Sequence, residues 1–233
     1  MDEPVPRRKA RRAQLSLNVK SNHGWLFPRT AWKPQVRPAI DAISAFGNTL
    51  DVQGKTMSLA YKNLDSKTRT HMAAELAIDQ ARGNLYVSPR LNDQGVRAWP
   101  ALIEEAITTH DDAWLSAEIR NRNLLKTREE RRNPKGGTTP VQVPVNAHET
   151  LAEGEFNRFY ARGLCLRAIQ EGNPNIVAYR ARHSEHPRSE SEAMVGRAFA
   201  PEALLNDLRS SVGVEPALGL PPGPNSGLSI RLP

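Results

Sequence analysis

Apolar residues recur at helical spacing in several stretches of this chain, each bounded by residues that start or stop a helix. In LDSKTRTHMAAELAIDQARG, Met72, Leu76 and Ile78 form a stripe with Ala73 and Ala77; Asp65 or Ser66 stands at the N-cap and Gly83 follows as terminator. DQGVRAWPALIEEAITTHDDAWLSAEIRNRN reads as helix, break, helix. Leu102, Ile103, Ala106 and Ile107 make one stripe, Asp111 or Asp112 supplies a new cap, and Trp114, Leu115 and Ile119 make the second.

A longer helix is expected over residues 147–170. Asn146 and Glu149 have the spacing of a capping box, and Phe156, Phe159, Tyr160, Leu164 and Ile169 supply a wide apolar face. Gly163 lies on it, leaving room for close packing against a neighbouring element. APEALLNDLRSSVG is a further helix, with Pro201 at its first position, Leu204, Leu205 and Leu208 as its stripe and Gly213 past its end. NLYVSPRL is too short for a helix and is stopped by Pro89, so it reads as a short strand or extended linker. NIVAYRAR and LSIRL read as strands, and Ile176–Tyr179 can pair with Leu228–Leu232 in one small sheet covered by the two helices.

LLKTREERRNPKGGTTPVQVPV ends in Pro134, Gly136, Gly137, Pro140 and Pro144 among polar residues, which is linker composition. The expected fold class is therefore α+β, mainly helical. A helical region spans 57–132, a linker 133–145 and a helix-strand-helix-strand region 146–233. RRNPKGG reads as a solvated connector, with phosphate contact as the other reading.

Residues 1–56 lack both periods and carry five prolines, so a disordered leader is expected there. Charge sharpens this division. The formal net charge of +7 places ten Lys/Arg and four Asp/Glu in residues 1–56, against twenty-two and twenty-one in residues 57–233. As a native arm, the leader would contact nucleic acid or an anionic membrane through Arg7, Arg8, Lys9, Arg11 and Arg12. The favoured reading is that translation starts at Met57, because the codons of the preceding Gln-Gly-Lys can spell a purine-rich ribosome-binding site.

Candidate chemistry is sparse. His148-Glu149 matches the first half of an HExxH zinc motif, but alanine stands at 152 where the second histidine belongs. His183, Glu185 and His186 need a further ligand to hold a metal, and Cys165 reads as a small buried hydrophobe. No metal and no cofactor are expected. One cysteine excludes an internal disulfide. With no secretory signal and no run of eighteen apolar residues, a cytoplasmic protein without a membrane partner is expected.

Glu155, Arg158 and Arg162 remain, at helical spacings of three and four on one side of the long helix. They are either a solvated ion pair with a spare arginine, or a docking site for an acidic group on a partner, helped by Arg180 and Arg182. LAEGEFNRFYARGLCLRAI, AYRAR with PRSESEAMVG, and ALGLPPGPNSGLSIRL resemble uncharacterised proteins of phage, prophage and mobile-element contexts, from about Met57 to the end. The resemblance implies a virion-associated or assembly role and carries over no catalytic residues. Another protein is then the expected partner. In the alternatives, the chain is a DNA-associated accessory protein, acting through its leader or a patch of Arg158, Arg162, Arg180 and Arg182, or an enzyme whose polar groups converge from distant positions.

Overall fold

The computed structural model describes residues 58–134, 136–213, 218–219 and 226–233, all within one compact unit. The basic leader and the Met57 start lie outside the described residues. Among the described residues, six helices and two small antiparallel sheets make an α+β fold dominated by helix.

Helix α1, Ser66–Arg82, is capped by Asp65, whose side chain accepts from the Thr68 amide, and is ended by Gly83 in the left-handed region at φ +66°. Its buried stripe differs from the expected one. Thr68, Met72, Glu75, Leu76 and Asp79 face inward, while Ala77 is exposed and Ile78 half-buried, so two carboxylates occupy interior positions. Helices α2, Asp93–Thr109, and α3, Asp112–Asn121, meet at the His-Asp-Asp break, where Asp111 accepts from the Trp114 amide. Leu102, Ile103, Ala106, Ile107, Leu115 and Ile119 are all buried, as their spacing predicts. Trp99 joins them, its indole donating to the Tyr86 carbonyl at 2.8 Å, so the ring's one polar group is satisfied inside the core.

Helix α4, Ala147–Gln170, is the central element, and α1, α3 and α6, Pro201–Ser210, pack around it. Phe156, Phe159, Tyr160 and Leu164 are fully enclosed. The capping box does not form. Asn146 makes no side-chain cap, because the chain enters through a turn in which the Ala147 amide donates to the Pro144 carbonyl.

Strand β3, Ile176–Arg180, pairs antiparallel with β5, Leu228–Arg231, in the register Val177 to Arg231 and Arg180 to Leu228. A two-residue strand β4, Ala198–Phe199, adds to the other edge of β3, and a short helix α5, Ser189–Met194, precedes it. Ile176, Ala178, Phe199 and Ile230 join the same cluster as Met72, Trp99, Ile119 and Phe156. One core thus runs through both halves, and the expected boundary at 133–145 does not divide them.

That segment is not a linker either. Strands β1, Arg128–Arg132, and β2, Thr138–Gln142, form an antiparallel hairpin in which Arg128 faces Gln142 and Arg132 faces Thr138. The turn is closed by the Asn133 amide donating to the Gly137 carbonyl and the Gly137 amide donating to Asn133 Oδ1. Gly136 takes φ +88°, which suits a residue without Cβ. Pro140 inside β2 is tolerated because a two-stranded ribbon consists of edge strands only.

Candidate functional site

The five residues singled out on and beside α4 do not form a docking surface. Arg162 is completely buried. Its Nε donates to Glu75 Oε2 at 2.8 Å, while Nη1 and Nη2 reach Asp79 Oδ2 and Oδ1 at 2.5 and 2.9 Å. Glu75 is also gripped by Arg209 of α6, which donates to both carboxylate oxygens. Two guanidiniums and two carboxylates thereby join α1, α4 and α6. Burial alone would raise the Glu75 carboxyl, but hydrogen bonds from Arg209 and Arg162 override it and hold its pKa below the ordinary value. Burial would likewise lower Arg162, and Asp79 and Glu75 reverse that, so the arginine stays charged.

Arg158, nearly as enclosed, donates to the carbonyls of Leu208 and Ser211 at 3.2 and 2.7 Å, the end of α6 where unpaired carbonyls gather. Glu155 lies 3.7 Å from Arg158 Nε. Burial pushes the Glu155 carboxyl up to about 7 even against Arg158, with Asp79 adding to the rise. Neither reading of this group holds as stated: the ion pair is not solvated, and Arg162 cannot meet an acidic partner from inside the core. The physical reason is that α1 supplies the opposite charges. Arg180 and Arg182 do not join the cluster. Arg180 binds Glu192 and the Ser226 carbonyl, and Arg182 pairs with Glu153 at 2.6 Å. No phosphate-tracking patch is formed by these four arginines.

Two further polar pairs lie in the interior, and their spacing in sequence gives no hint of them. His148 is buried and shares a 2.8 Å hydrogen bond between Nδ1 and Ser116 Oγ, while burial, aided by Arg120, lowers its pKa and keeps the ring neutral. Ser116 sits within α3, so this pair ties α3 to the first turn of α4. Asp112, also buried, accepts from Ser58 Oγ at 2.6 Å and the Leu59 amide at 3.2 Å. It thereby clasps the start of the described chain to α3. Nearby, the Tyr61 hydroxyl is buried without a hydrogen-bond partner among the described residues, its ring packed on Phe156 and Tyr160.

Asp112 makes stability depend on pH in a defined direction. Burial pushes its carboxyl up to about 7, opposed by the Ser58 and Leu59 hydrogen bonds and reinforced by Asp111 and Glu153. An unfolded aspartate ionises near pH ~4. Between these values the native state holds the extra proton, so stability falls as pH rises through the window. Asp112→Asn removes this titration. The variant's stability relative to the parent should rise by about 3 kcal/mol between about pH 5 and pH 8. Urea denaturation at the two pH values checks it, and a difference that does not change with pH refutes it. Glu75 acts with the opposite sign: its contribution is present above the unfolded pKa and lost as pH falls through its depressed native value.

Cys165 is buried and its thiol is pushed up by burial first and Glu75 next, which leaves it an unreactive core residue. His183 and His186 are exposed, and among the described residues no group of three histidine, cysteine or acidic side chains has a metal-binding arrangement.

An exposed polar element is the β1–β2 hairpin. Every residue from Arg128 to Gln142 whose exposure is described is exposed except Glu129, Asn133 and Val141, which are half-buried. Its root is fastened. Arg90 forks Glu129, with Nε to Oε2 at 2.5 Å and Nη2 to Oε1 at 3.1 Å. Lys126 Nζ donates to the Pro89 carbonyl, and Asn92 Nδ2 to the Asn123 carbonyl. A bridge between Leu91 and Leu125 completes the root. Sequence reasoning missed this element because β1 is wholly charged and β2 holds a proline; the five-residue turn rich in Asn, Pro and Gly was the available signal.

Comparison with protein-family models, curated proteins and solved structures finds no match to this chain.

Proposed function

We propose that this chain is a non-catalytic binding protein that presents the β1–β2 hairpin to a partner, in the phage or prophage assembly setting that its sequence resemblance implies. The observation that carries the reading is a hairpin fixed at its root and exposed over most of its length. A ribbon of two strands buries too little to be stable alone, so an uncovered one gains most from a surface to lie on. Several buried polar groups support the same reading, since they are spent on one another or on helix ends: Arg162 on Glu75 and Asp79, Arg158 on the end of α6, His148 on Ser116. No helix among the described residues is long and apolar enough to cross a membrane, and a cytoplasmic setting belongs to the proposal.

The test is replacement of residues 130–140 by a short glycine-asparagine turn in the full chain at its native locus. The thermal transition should barely move, because the hairpin adds little to the core. Size-exclusion of native extracts should show the parent in a complex larger than the chain and the variant released from it. A folded variant that remains in the complex refutes the reading.

A further inference from the structure

The β1–β2 hairpin carries an excess of positive charge. Residues 128–142 hold four Lys/Arg against two Asp/Glu, while the rest of residues 57–233 holds eighteen against nineteen. The hairpin is thus a basic projection of net charge +2 on a body that is otherwise close to neutral. From these observations, and resting on the hairpin's role as the binding element, we infer that the β1–β2 hairpin is a nucleic-acid arm that grips the phosphate backbone of a duplex.

Several features favour this partner over a strand added to the hairpin edge. Pro140 removes an amide from β2, and β1 is Arg-Glu-Glu-Arg-Arg; both devices discourage edge pairing. Recognition is left to side chains. Strand alternation puts Arg128 and Arg132 on one face of the ribbon and Arg131 on the other. Arg128 and Arg132 are exposed and make no ion pair among the described residues, and Arg131 is largely exposed with only a 3.4 Å approach to Glu129. Of the two carboxylates, Glu129 is held by Arg90 at the root. Glu130 lies between Arg128 and Arg132 and subtracts from that face.

The dimensions agree. A five-residue strand spans about 17 Å, and a two-stranded ribbon fits the roughly 12 Å major groove of a duplex. A ribbon lying there has phosphates along its flanks, and Arg128, Arg131 and Arg132 of β1 line one of them. The fastened root matters because an arm held in one direction loses less freedom on binding than a loose loop.

The experiment uses the full chain and a fluorescent duplex of about 20 base pairs, with affinity followed from about 50 to 200 mM salt. Because the leader is also basic, the arm substitutions Arg128→Gln, Arg131→Gln and Arg132→Gln are made both in the parent and in a chain with Arg7, Arg8, Lys9, Arg11 and Arg12 changed to Gln. The arm triple should weaken binding roughly tenfold or more in both backgrounds, and lower the salt slope by about 0.9 for each phosphate that is no longer neutralised. Lysine at the three positions should keep most of the affinity, since phosphate needs charge more than a planar fork. Unchanged affinity and slope in the arm triple, with folding verified, overturn the inference. If the hairpin replacement still releases the complex while the duplex is not bound through the arm, the binding reading stands and its partner is an acidic protein. If the arm binds the duplex but the complex survives hairpin replacement, the assembly reading falls and the nucleic-acid arm remains.

Discussion

Replacing Arg162 by methionine is expected to remove roughly 3–5 kcal/mol of stability, measured as a fall in the urea midpoint with the slope unchanged. The guanidinium is fully enclosed and bonds to both Glu75 and Asp79, while Glu75 keeps Arg209. Its removal therefore strands Asp79 in particular, a carboxylate with little access to water. The cost comes from the orphaned charge more than from the missing attraction, because two ions brought out of water regain little beyond what their desolvation costs. A second variant separates these contributions. Adding Asp79→Asn and Glu75→Gln to Arg162→Met should recover part of the stability, since no buried charge is then left unpaired. A triple variant no more stable than the single one would show that the network's geometry, and not charge compensation, carries its contribution. A single variant that melts with the parent would mean that Arg162 is no interior support at all.

Gly163→Leu is expected to be comparably damaging, about 3 kcal/mol or more, by a different mechanism. Gly163 is where α4 comes closest to α1: a Cβ there would lie 2.7 Å from Met72 Cγ, 2.8 Å from the Met72 amide nitrogen and 3.1 Å from the Thr68 carbonyl. The clash with the side chain can be relieved by a rotamer change, but the clashes with the backbone cannot. The helices must part, and the preceding residue of α4 is Arg162, whose bonds to α1 would stretch with them. Gly163→Ala should still cost about 1–3 kcal/mol, although alanine favours a helix interior by roughly 1 kcal/mol over glycine. Pairing it with Met72→Ala should recover little, because the Thr68 carbonyl and Met72 amide remain in place. Thermal melts of the alanine and leucine variants decide the matter; an alanine variant at or above the parent would mean that α1 yields without cost.

Much of the candidate site was visible as letters but not as roles. Glu155, Arg158 and Arg162 stand out at helical spacing, and that spacing correctly puts them on one side of α4. What they meet is set elsewhere: Arg162 binds residues 83 and 87 positions earlier, and Arg158 a helix end 50 and 53 positions later. Glu75 and Asp79 gave no warning, because glutamate and aspartate in a helix with polar neighbours read as solvent-facing until a buried partner is known. The hairpin escaped for the opposite reason. A ribbon without a buried face has no apolar alternation to read, and its pairing follows from turn geometry and backbone hydrogen bonds.

By itself, then, the sequence determined what acts within a few residues or through strong periodicity: a cap at Asp65 or Ser66 and the Gly83 stop of α1, the stripes of α2 and α3, the length of α4, and the β3–β5 strands that pair. The tertiary structure alone decided that both halves share one core and that Gly163 is a helix crossing point against α1 in particular. It also decided that Arg158 and Arg162 of α4 are internal supports and that three arginines of β1 stand exposed on a ribbon. Caps, turns and apolar faces are local free-energy preferences legible in neighbouring letters. Whether a charge is a surface group or a buried strut depends on which distant element excludes water from it, and only the packed chain fixes that.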